Sequence, residues 1–279
     1  MEKFNIKRFG QTFKWLFCEN SNRLLVWTLG LTLGFLMIDS FLTWSMQQVP
    51  PDSPNFKKLQ EIDYQTRALF GVIGFCFFIA IIVVLFGFSR IFALLKTKQK
   101  RIAYLTLPAT NAERYLTSLL YVLIVFPLCV LLALILGDTL RMIVFGMSGG
   151  KWLSAVPHLF KDNLLLLPKF SSWYRFVKWM MDISIMLWIC SLYILGGTWF
   201  RRHAFFIVTG ALILLFIIVA VFKPSIHLFT LDVSNHTTII SPAVYLLTLI
   251  FIAAALFNFW WSYKIFKRFQ IITSKWTNV

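Results

Sequence analysis

Acidic residues are scarce in this sequence, and so is charge of either sign. Only 11 of the 279 residues are Asp or Glu, and all charged residues together make up 14%. An ordinary soluble domain carries about a quarter charged residues. Hydrophobic residues make up 59% of the chain, and its mean hydropathy is +0.76. This balance argues against a soluble domain and predicts an all-α protein that crosses a lipid bilayer several times.

The usual metal and disulfide frameworks are also missing. The four cysteines are scattered, mostly inside apolar segments, and no pair has the spacing of metal ligands. There is no His-Glu-x-x-His, so nothing indicates a zinc protease, and no two histidines are paired at helical spacing on an apolar segment. We therefore expect no metal site, no cofactor and no disulfide framework. The first apolar segment is long and lacks a small-x-small exit, so we expect no cleavable signal peptide.

A glycine-rich stretch at 146–151 comes close to two catalytic motifs. It is not a P-loop, because Trp152 follows Lys151 where Ser or Thr is required, and Phe145 stands in place of the leading glycine. It also contains Gly-x-Ser-Gly, which resembles the serine motif of rhomboid proteases. Here, however, Ser148 opens a loop, and the last apolar segment has no histidine. We expect a plain flexible loop, no ATP binding by this chain alone and no enzyme activity.

Basic residues are in large excess, with a formal net charge of +16. Such a charge can indicate nucleic-acid binding. Most of the Lys and Arg residues, however, fall in alternate loops between the apolar runs. This asymmetry follows the positive-inside rule and predicts that both termini are cytoplasmic. We therefore expect no nucleic-acid partner, and the long basic loop after the third apolar run is the one awkward feature of this topology.

Six apolar runs are long enough to cross a bilayer, which predicts a single transmembrane domain over residues 1–279. In the third run, Pro127 predicts a kink. The longest region outside the runs, 137–179, is interpreted as interfacial helices on the outer face or as a re-entrant segment. The six predicted spans are about 24–46, 68–94, 116–136, 180–200, 204–222 and 243–263.

An amphipathic helix is predicted within residues 1–20, ahead of the first span. At about 100° per residue, apolar side chains share one face and mostly basic side chains share the other. We expect this basic elbow to lie in the membrane interface. The alternative is a basic tail with chance periodicity. The apolar face holds Ile6, Phe9, Phe13, Leu16 and Phe17, and the polar face holds Lys3, Lys7, Gln11 and Lys14.

The loop at 96–115, between the second and third spans, is the most basic in the chain. Pro108 lacks a backbone N–H and disfavours the α region at Leu107, so a helix break is predicted there. Thr110 and Glu113 have the spacing of a capping box, which starts a new helix at once. The sequence predicts a short helix, a break and a second helix that enters the membrane. The alternative is an ordinary positive-inside loop with a well-capped helix.

Two aspartates lie near the ends of predicted spans. A carboxylate at membrane depth is a functional candidate by default, and Asp39 lies near the far end of the first span. We favour the alternative that Asp39 is close enough to the surface to be hydrated or hydrogen-bonded. Asp182 lies at the outer mouth of the fourth span. No predicted span carries a cluster of polar groups that would mark a substrate pathway.

The predicted helix, break and helix at 96–115, which we call the hinge, resemble a segment of a known family. Leu107-Pro108-Ala109-Thr110, followed by Glu113-Arg114-Tyr115, is similar to the LPAS/T-x-x-E-K/R-[YF] segment of ABC-2-type transporter permeases, notably a group of Bacteroidetes membrane proteins. The predicted elbow, the six spans and the cytoplasmic segment after the second span also resemble that family's architecture. The chain departs from its best-known members by placing its longest outer loop after the third span, which leaves the substrate path and the subclass open.

The resemblance implies a permease subunit of an exporter in the cell (inner) membrane. In that family two permeases, identical or different, pair with two separate ATPase subunits. When the ATPases close on ATP, the movement is transmitted to the permeases through the elbow and the coupling loop, which corresponds to residues 96–115 here. The alternatives are a non-transporting membrane scaffold or sensory accessory protein and, third, a membrane enzyme. The substrate and the direction of transport stay open. The residues expected to couple to the ATPase are Lys96, Lys98, Lys100, Arg101, Tyr104, Leu107, Pro108, Thr110, Glu113 and Arg114.

Overall fold

A computed structural model describes residues 4–47, 64–92, 98–147, 154, 172–200, 203–222, 229–232 and 237–268. The described residues are helical except for short connections and one antiparallel hairpin. That hairpin pairs Phe229 with Ile240 and Asp232 with Thr237, and it lies between the fifth and sixth predicted spans. The elements are α1 Ile6–Gln47, α2 Tyr64–Phe88, α3 Lys98–Leu105, α4 Asn111–Leu120, α5 Phe126–Met147, α6 Ser172–Trp199, α7 Ala204–Phe222, β1 Phe229–Asp232, β2 Thr237–Ile240 and α8 Pro242–Lys267.

Five helices in the described part are long and apolar enough to cross a membrane. They are Ile6–Leu42, Asn111–Met147, Trp173–Trp199, Ala204–Val221 and Pro242–Lys267. Large apolar side chains are exposed along these helices, and among the described side chains of α7 only Ala204 at its start is buried. So much exposed apolar surface is not compatible with a protein surrounded by water. The chain is therefore a multi-pass membrane protein.

The second predicted span belongs to α2. The apolar stretch found within this helix, Gly74–Phe88, is shorter than the other five. The sixth span therefore stays a prediction.

The predicted elbow and first span belong to one continuous helix, α1. The polar residues 18–23 look like a connection between two helices. They include neither Gly nor Pro, however, so nothing in them ends the helix.

The buried face of the elbow segment differs in part from the predicted one. Leu16 is buried, whereas Ile6 and Phe17 are exposed, and the polar Thr12 is buried instead. The predicted polar face is exposed at Lys7, Gln11 and Lys14, Phe9 and Phe13 are half-buried, and Lys3 lies outside the described residues.

The third predicted span reaches further than residue 136. A π-helical segment, Tyr121–Val125, joins α4 to α5, and the run continues to Met147. The wider π turn ends two residues before Pro127, which has no N–H to give to a regular helix. Of the region predicted as interfacial or re-entrant, 137–147 is helical and α6 begins at Ser172. Ser154 is the one described position between them.

The described chain divides into two compact units. The first comprises Met1–Leu16, Leu85–Leu123 and Lys169–Val279. Within it, α8 packs along α6, where the side-chain amide of Asn258 donates to the Ser191 hydroxyl (2.9 Å). The hydroxyls of Tyr193 on α6 and Thr209 on α7 lie 2.8 Å apart. Buried hydrogen bonds of this kind, together with apolar packing, hold membrane helices together.

Two adjacent glycines let neighbouring backbones approach the end of α6. A Cβ added to Gly197 would lie 2.5 Å from the carbonyl oxygen of Ser89, and one added to Gly196 would lie 2.3 Å from a methyl carbon of Val208. Small residues permit such close helix packing inside membranes. The glycine pair therefore seats both α7 and the segment that follows α2 against α6.

The second unit comprises Phe17–Val84 and Ile124–Pro168. Its core is formed by α1, α2 and α5. A Cβ on Gly137 would lie 3.0 Å from the Cβ of Phe35, so α5 and α1 are in close contact at this level. The core consists of Phe35, Cys76, Ala80, Val130, Ala133 and Leu134.

Candidate functional site

The capping box predicted at the start of α4 is present. Thr110 is the N-cap, and its hydroxyl accepts the N–H of Glu113 (3.2 Å). The Glu113 carboxylate in turn accepts the N–H of Thr110 (2.8 Å). Because α3 ends at Leu105 and Pro108 is exposed at the bend, the predicted arrangement of helix, break and helix is confirmed.

The same carboxylate also binds the beginning of the chain. Glu113 Oε1 accepts the backbone N–H of Asn5 (2.7 Å) and faces a guanidinium nitrogen of Arg8 (3.4 Å). The Glu113 side chain is completely buried, whereas that of Arg8 is 31% exposed. We call Asn5, Arg8, Thr110 and Glu113 the Glu113 junction. It fastens the start of α1 to the hinge through one buried charge.

Tyr104 fastens α3 to α4. Its hydroxyl donates to the carbonyl oxygen of Arg114 and lies within hydrogen-bonding distance of the Ser118 hydroxyl, both at 2.7 Å. The side chain is only 2% exposed, and its ring lies 6.1 Å from that of Trp15 on α1. Burial raises the pKa of Tyr104 to about 12, so the phenol keeps its proton at neutral pH and remains a donor.

Arg114 holds the break itself. Its guanidinium donates to the carbonyl oxygen of Leu107, which the proline bend leaves without a helical partner, and it reaches the side-chain oxygen of Asn111 (3.5 Å). The planar guanidinium can satisfy two acceptors in fixed directions. Hydrogen bonds from Arg114 therefore hold residues on both sides of Pro108, namely Leu107 and Asn111.

An aromatic cluster packs α4 against the end of α8. The ring of Tyr115 lies 5.7 Å from that of Phe266 and 5.3 Å from that of Tyr263, and its hydroxyl donates to the carbonyl oxygen of Phe259 (3.2 Å). Phe92 stacks on Phe266 with ring centres 5.0 Å apart. The hinge thus contacts the start of α1 on one side and the end of α8 on the other.

Five of the predicted coupling residues are in direct contact within this site. They are Tyr104, Leu107, Thr110, Glu113 and Arg114. Lys98, Lys100 and Arg101 lie on α3, and Lys96 lies outside the described residues.

Sequence reasoning missed Asn5, Arg8, Trp15 and Ser118. The first three lie on the elbow, more than 85 residues before their partners. No spacing rule links positions so far apart. Ser118 follows Tyr104 by 14 residues and lies beyond the helix break, so helical periodicity gives no reason to pair the two residues.

A second polar cluster lies in the other unit. A guanidinium nitrogen of Arg141 lies 2.7 Å from Asp138 Oδ1, and the hydroxyl of Ser154 donates to Asp138 Oδ2 (2.7 Å). The Cys76 thiol donates to Asp39 Oδ1 (3.0 Å). The cluster corrects the expectation that the apolar helices carry no group of polar side chains. Asp39, expected to be hydrated or hydrogen-bonded near the surface, is hydrogen-bonded but buried, at 4% exposure.

The contacts of this site connect α1, α3, α4 and α8 to one another. Among the described residues no group of three or more His, Cys, Asp or Glu side chains could hold a metal ion. We found no protein-family model, curated protein or solved structure that matches the chain. The case for a function therefore rests on the hinge and its contacts.

Proposed function

We propose that this chain is the membrane-spanning permease subunit of an ABC-2-type exporter in the cell (inner) membrane. It would work with a separate ATPase subunit and a second permease, identical or different. The observation that supports this proposal is the Glu113 junction. Through the buried Glu113 side chain it joins the start of the predicted elbow to the predicted coupling loop, which are the two elements expected to receive force from an ATPase.

The bonds around Glu113 make the hinge suitable for passing on a displacement. Movement of α3 is carried to α4 through the Tyr104 hydroxyl, and movement of the start of α1 is carried through Glu113. Each bond has one buried side chain, that of Tyr104 or of Glu113, and breaking it leaves a buried polar group unpaired, which costs about 1–3 kcal/mol. A displacement of one element that does not break these bonds therefore moves the bonded element with it.

Contacts within the first unit support the proposed topology of six spans with both termini cytoplasmic. The start of the chain meets the hinge at Glu113, and the end of α8 meets Phe92. The end of α6 meets Ser89. These are the four basic regions that the positive-inside rule places in the cytoplasm. The sixth span would be α2, whose 25 residues reach about 37 Å at 1.5 Å per residue.

The first test is purification of the tagged chain in mild detergent, followed by mass spectrometry of what comes with it. The proposal predicts a P-loop ATPase in stoichiometric amount. If no ATPase is recovered, and the chain is alone or bound to another protein, the permease proposal fails and the scaffold or sensory accessory interpretation replaces it.

A second test concerns coupling. In the purified complex, Glu113→Gln weakens the charge-assisted bonds to Asn5 and Thr110, each bond to a charged group being worth about 1.5–3 kcal/mol. We expect stimulation of the ATPase by the permease to fall roughly tenfold, and Pro108→Ala to lower it less, while both variants still insert into the membrane. Asp182→Asn, which changes an exposed carboxylate on α6, is the matched control. Equal ATPase activity in all four proteins would contradict the proposed role of the hinge.

A further inference from the structure

One face of α8 is exposed over most of the helix, and its chemistry changes along the way. In the first part this face is aliphatic, with Leu246, Leu249 and Leu256 at 64%, 69% and 62% exposure. Further along, the same face presents the exposed indoles of Trp260 and Trp261. The spacings of three, four and seven residues place these side chains on one side of the helix. The face is therefore aliphatic first and aromatic afterwards.

Basic residues continue this face beyond the indoles. Lys264, Lys267 and Arg268 are exposed, and they follow Trp260 by four, seven and eight residues. Residues 233–279 contain no Asp or Glu, so this stretch of the chain supplies no carboxylate to offset them. The end of α8 is therefore an exposed cationic surface that directly adjoins the aromatic one.

Aromatic rings of the same helix hold two of the ammonium groups. The Nζ of Lys264 lies 3.9 Å from the centre of the Trp260 ring, and that of Lys267 lies 4.6 Å from the centre of the Tyr263 ring. A cation over an aromatic face is attracted by the ring, most strongly by that of Trp. An ammonium group has three donors, so contact with a ring on one side leaves donors for an oxygen acceptor on the other.

The dimensions of this face fit one leaflet of a bilayer. At 1.5 Å per residue, α8 rises about 21 Å from Leu246 to Trp260 and about 10 Å more to Lys267. Trp is typical of the membrane interface, with hydrocarbon on one side and lipid headgroups on the other. With Trp260 at that level, the leucines contact acyl chains and the lysines reach the phosphate groups. An acidic protein would complement the basic residues but not the aliphatic part of the face.

We propose that this face of α8 is a binding site for an anionic phospholipid. The lipid phosphate accepts hydrogen bonds from the ammonium groups of Lys264 and Lys267, and the acyl chains lie along the leucines. Trp260 is a positioning residue, because its ring holds the Lys264 ammonium at the edge of the aromatic surface. A zwitterionic lipid is bound less well, since its own cationic group meets three basic side chains. This inference does not depend on the ABC-2 proposal.

Native mass spectrometry of the purified chain tests the proposal. The protein is incubated in mild detergent with equal amounts of phosphatidylglycerol, which is anionic, and phosphatidylcholine, which is zwitterionic, and the lipids that stay bound are counted. We expect the wild type to retain mainly phosphatidylglycerol. Lys264→Gln should lower its retention about fivefold, which is the contribution of one basic residue near an anionic lipid. The retention of phosphatidylcholine should not change.

Lys178→Gln is the charge-matched control. It removes the same charge from α6, near the end of the helix pair where the Trp173 indole donates to the Tyr245 hydroxyl (3.3 Å). The exposed Asp182 lies one turn from Lys178, so this position does not form a purely cationic surface. Lys178→Gln should retain as much phosphatidylglycerol as the wild type.

Two changes at Trp260 test its positioning role. Trp260→Leu keeps an apolar side chain but removes the ring under Lys264, so retention of phosphatidylglycerol should fall about twofold. Trp260→Phe keeps a ring and should lower it less. Both Trp260 and Lys264 are exposed, so these changes open no cavity in the core and the variants should fold.

Three outcomes would overturn these assignments. Equal retention of the two lipids by the wild type would exclude an anionic lipid site and leave the basic end of α8 to an acidic protein. Equal losses in Lys264→Gln and Lys178→Gln would mean that net charge alone explains the binding. Unchanged retention of phosphatidylglycerol in Trp260→Leu would remove the role assigned to the ring.

Discussion

Glu113 and Asp138 are both fully buried carboxylates that face an arginine, yet they hold the chain together in different ways. Asp138 lies 2.7 Å from a guanidinium nitrogen of Arg141, three residues away on the same helix, and both side chains are at least 96% buried. Glu113 lies 3.4 Å from Arg8, whose side chain is 31% exposed, and depends mainly on two backbone N–H groups. One carboxylate is neutralised locally, and the other joins distant segments.

The two carboxylates therefore contribute differently to the stability of the chain. A buried ion pair within one helix mostly offsets the penalty of placing its own charges among apolar side chains, so it stabilises little beyond itself. A carboxylate that accepts backbone N–H groups from two segments orders both segments at once. We therefore expect changes at the Asp138–Arg141 pair to affect overall stability, and changes at the Glu113 junction to affect local order at the hinge.

The largest effect is expected for Arg141→Leu. This change leaves the Asp138 carboxyl group buried without its cation, and breaking such a pair costs about 3 kcal/mol or more. The loss should appear as a lower free energy of unfolding when the detergent-solubilised protein is titrated with a denaturing detergent. The double variant Asp138→Leu/Arg141→Leu is the control, because it removes both charges. It should lose less stability than Arg141→Leu alone, and a larger loss in the double variant would contradict the view that the pair offsets its own burial.

A smaller effect is expected for Glu113→Ala, at about 2 kcal/mol. The substitution leaves the N–H groups of Asn5 and Thr110 without their shared acceptor and removes half of the capping box. Hydrogen–deuterium exchange should become faster over residues 5–16 and 106–113, with no change along α8. Arg8→Ala removes only a partly exposed charge, so it should cost well under about 1 kcal/mol. If Arg8→Ala accelerated exchange as much as Glu113→Ala, the backbone bonds would not be the main contribution.

The effect expected for Tyr104→Phe, about 1 kcal/mol, is smaller than that of Glu113→Ala. The ring and its contact with Trp15 are kept, while the hydrogen bonds to the Arg114 carbonyl and the Ser118 hydroxyl are lost. Exchange should quicken in α3 and leave residues 5–16 protected. Faster exchange in both segments would show that the hydrogen bonds of Tyr104 and those of Glu113 do not stabilise the hinge independently.

The hinge could be predicted from the sequence because its signals are local. Proline chemistry at Pro108 and the three-residue spacing of Thr110 and Glu113 suffice for the break and the cap. The contact between Glu113 and Asn5 could not be predicted, since no local pattern records a pairing across 108 residues. Apolar length likewise predicted most of the membrane helices, five of which have the required length and composition in the described part of the chain.

In two places a helix continues beyond the limit predicted for a span, for the same physical reason. The polar residues 18–23 and the charged residues Asp138 and Arg141 each resemble the end of a membrane span. In both places the helix continues. Asp138 and Arg141 neutralise each other one turn apart, and Asn20 is buried within α1. Hydropathy averages the cost of each polar side chain alone, so it cannot register charges that are paired inside the protein.

The Glu113 junction also constrains the order in which the chain can be assembled during synthesis. Asn5 leaves the ribosome 108 residues before its partner does. At about 5–20 residues per second, this interval lasts about 5–20 s. Over that time the start of α1 has no acceptor at Glu113, although its apolar side chains are already made. The beginning of α1 is therefore fixed only after α4 has been made, and a bulky fusion placed ahead of Asn5 would interfere with a late step of assembly rather than with insertion.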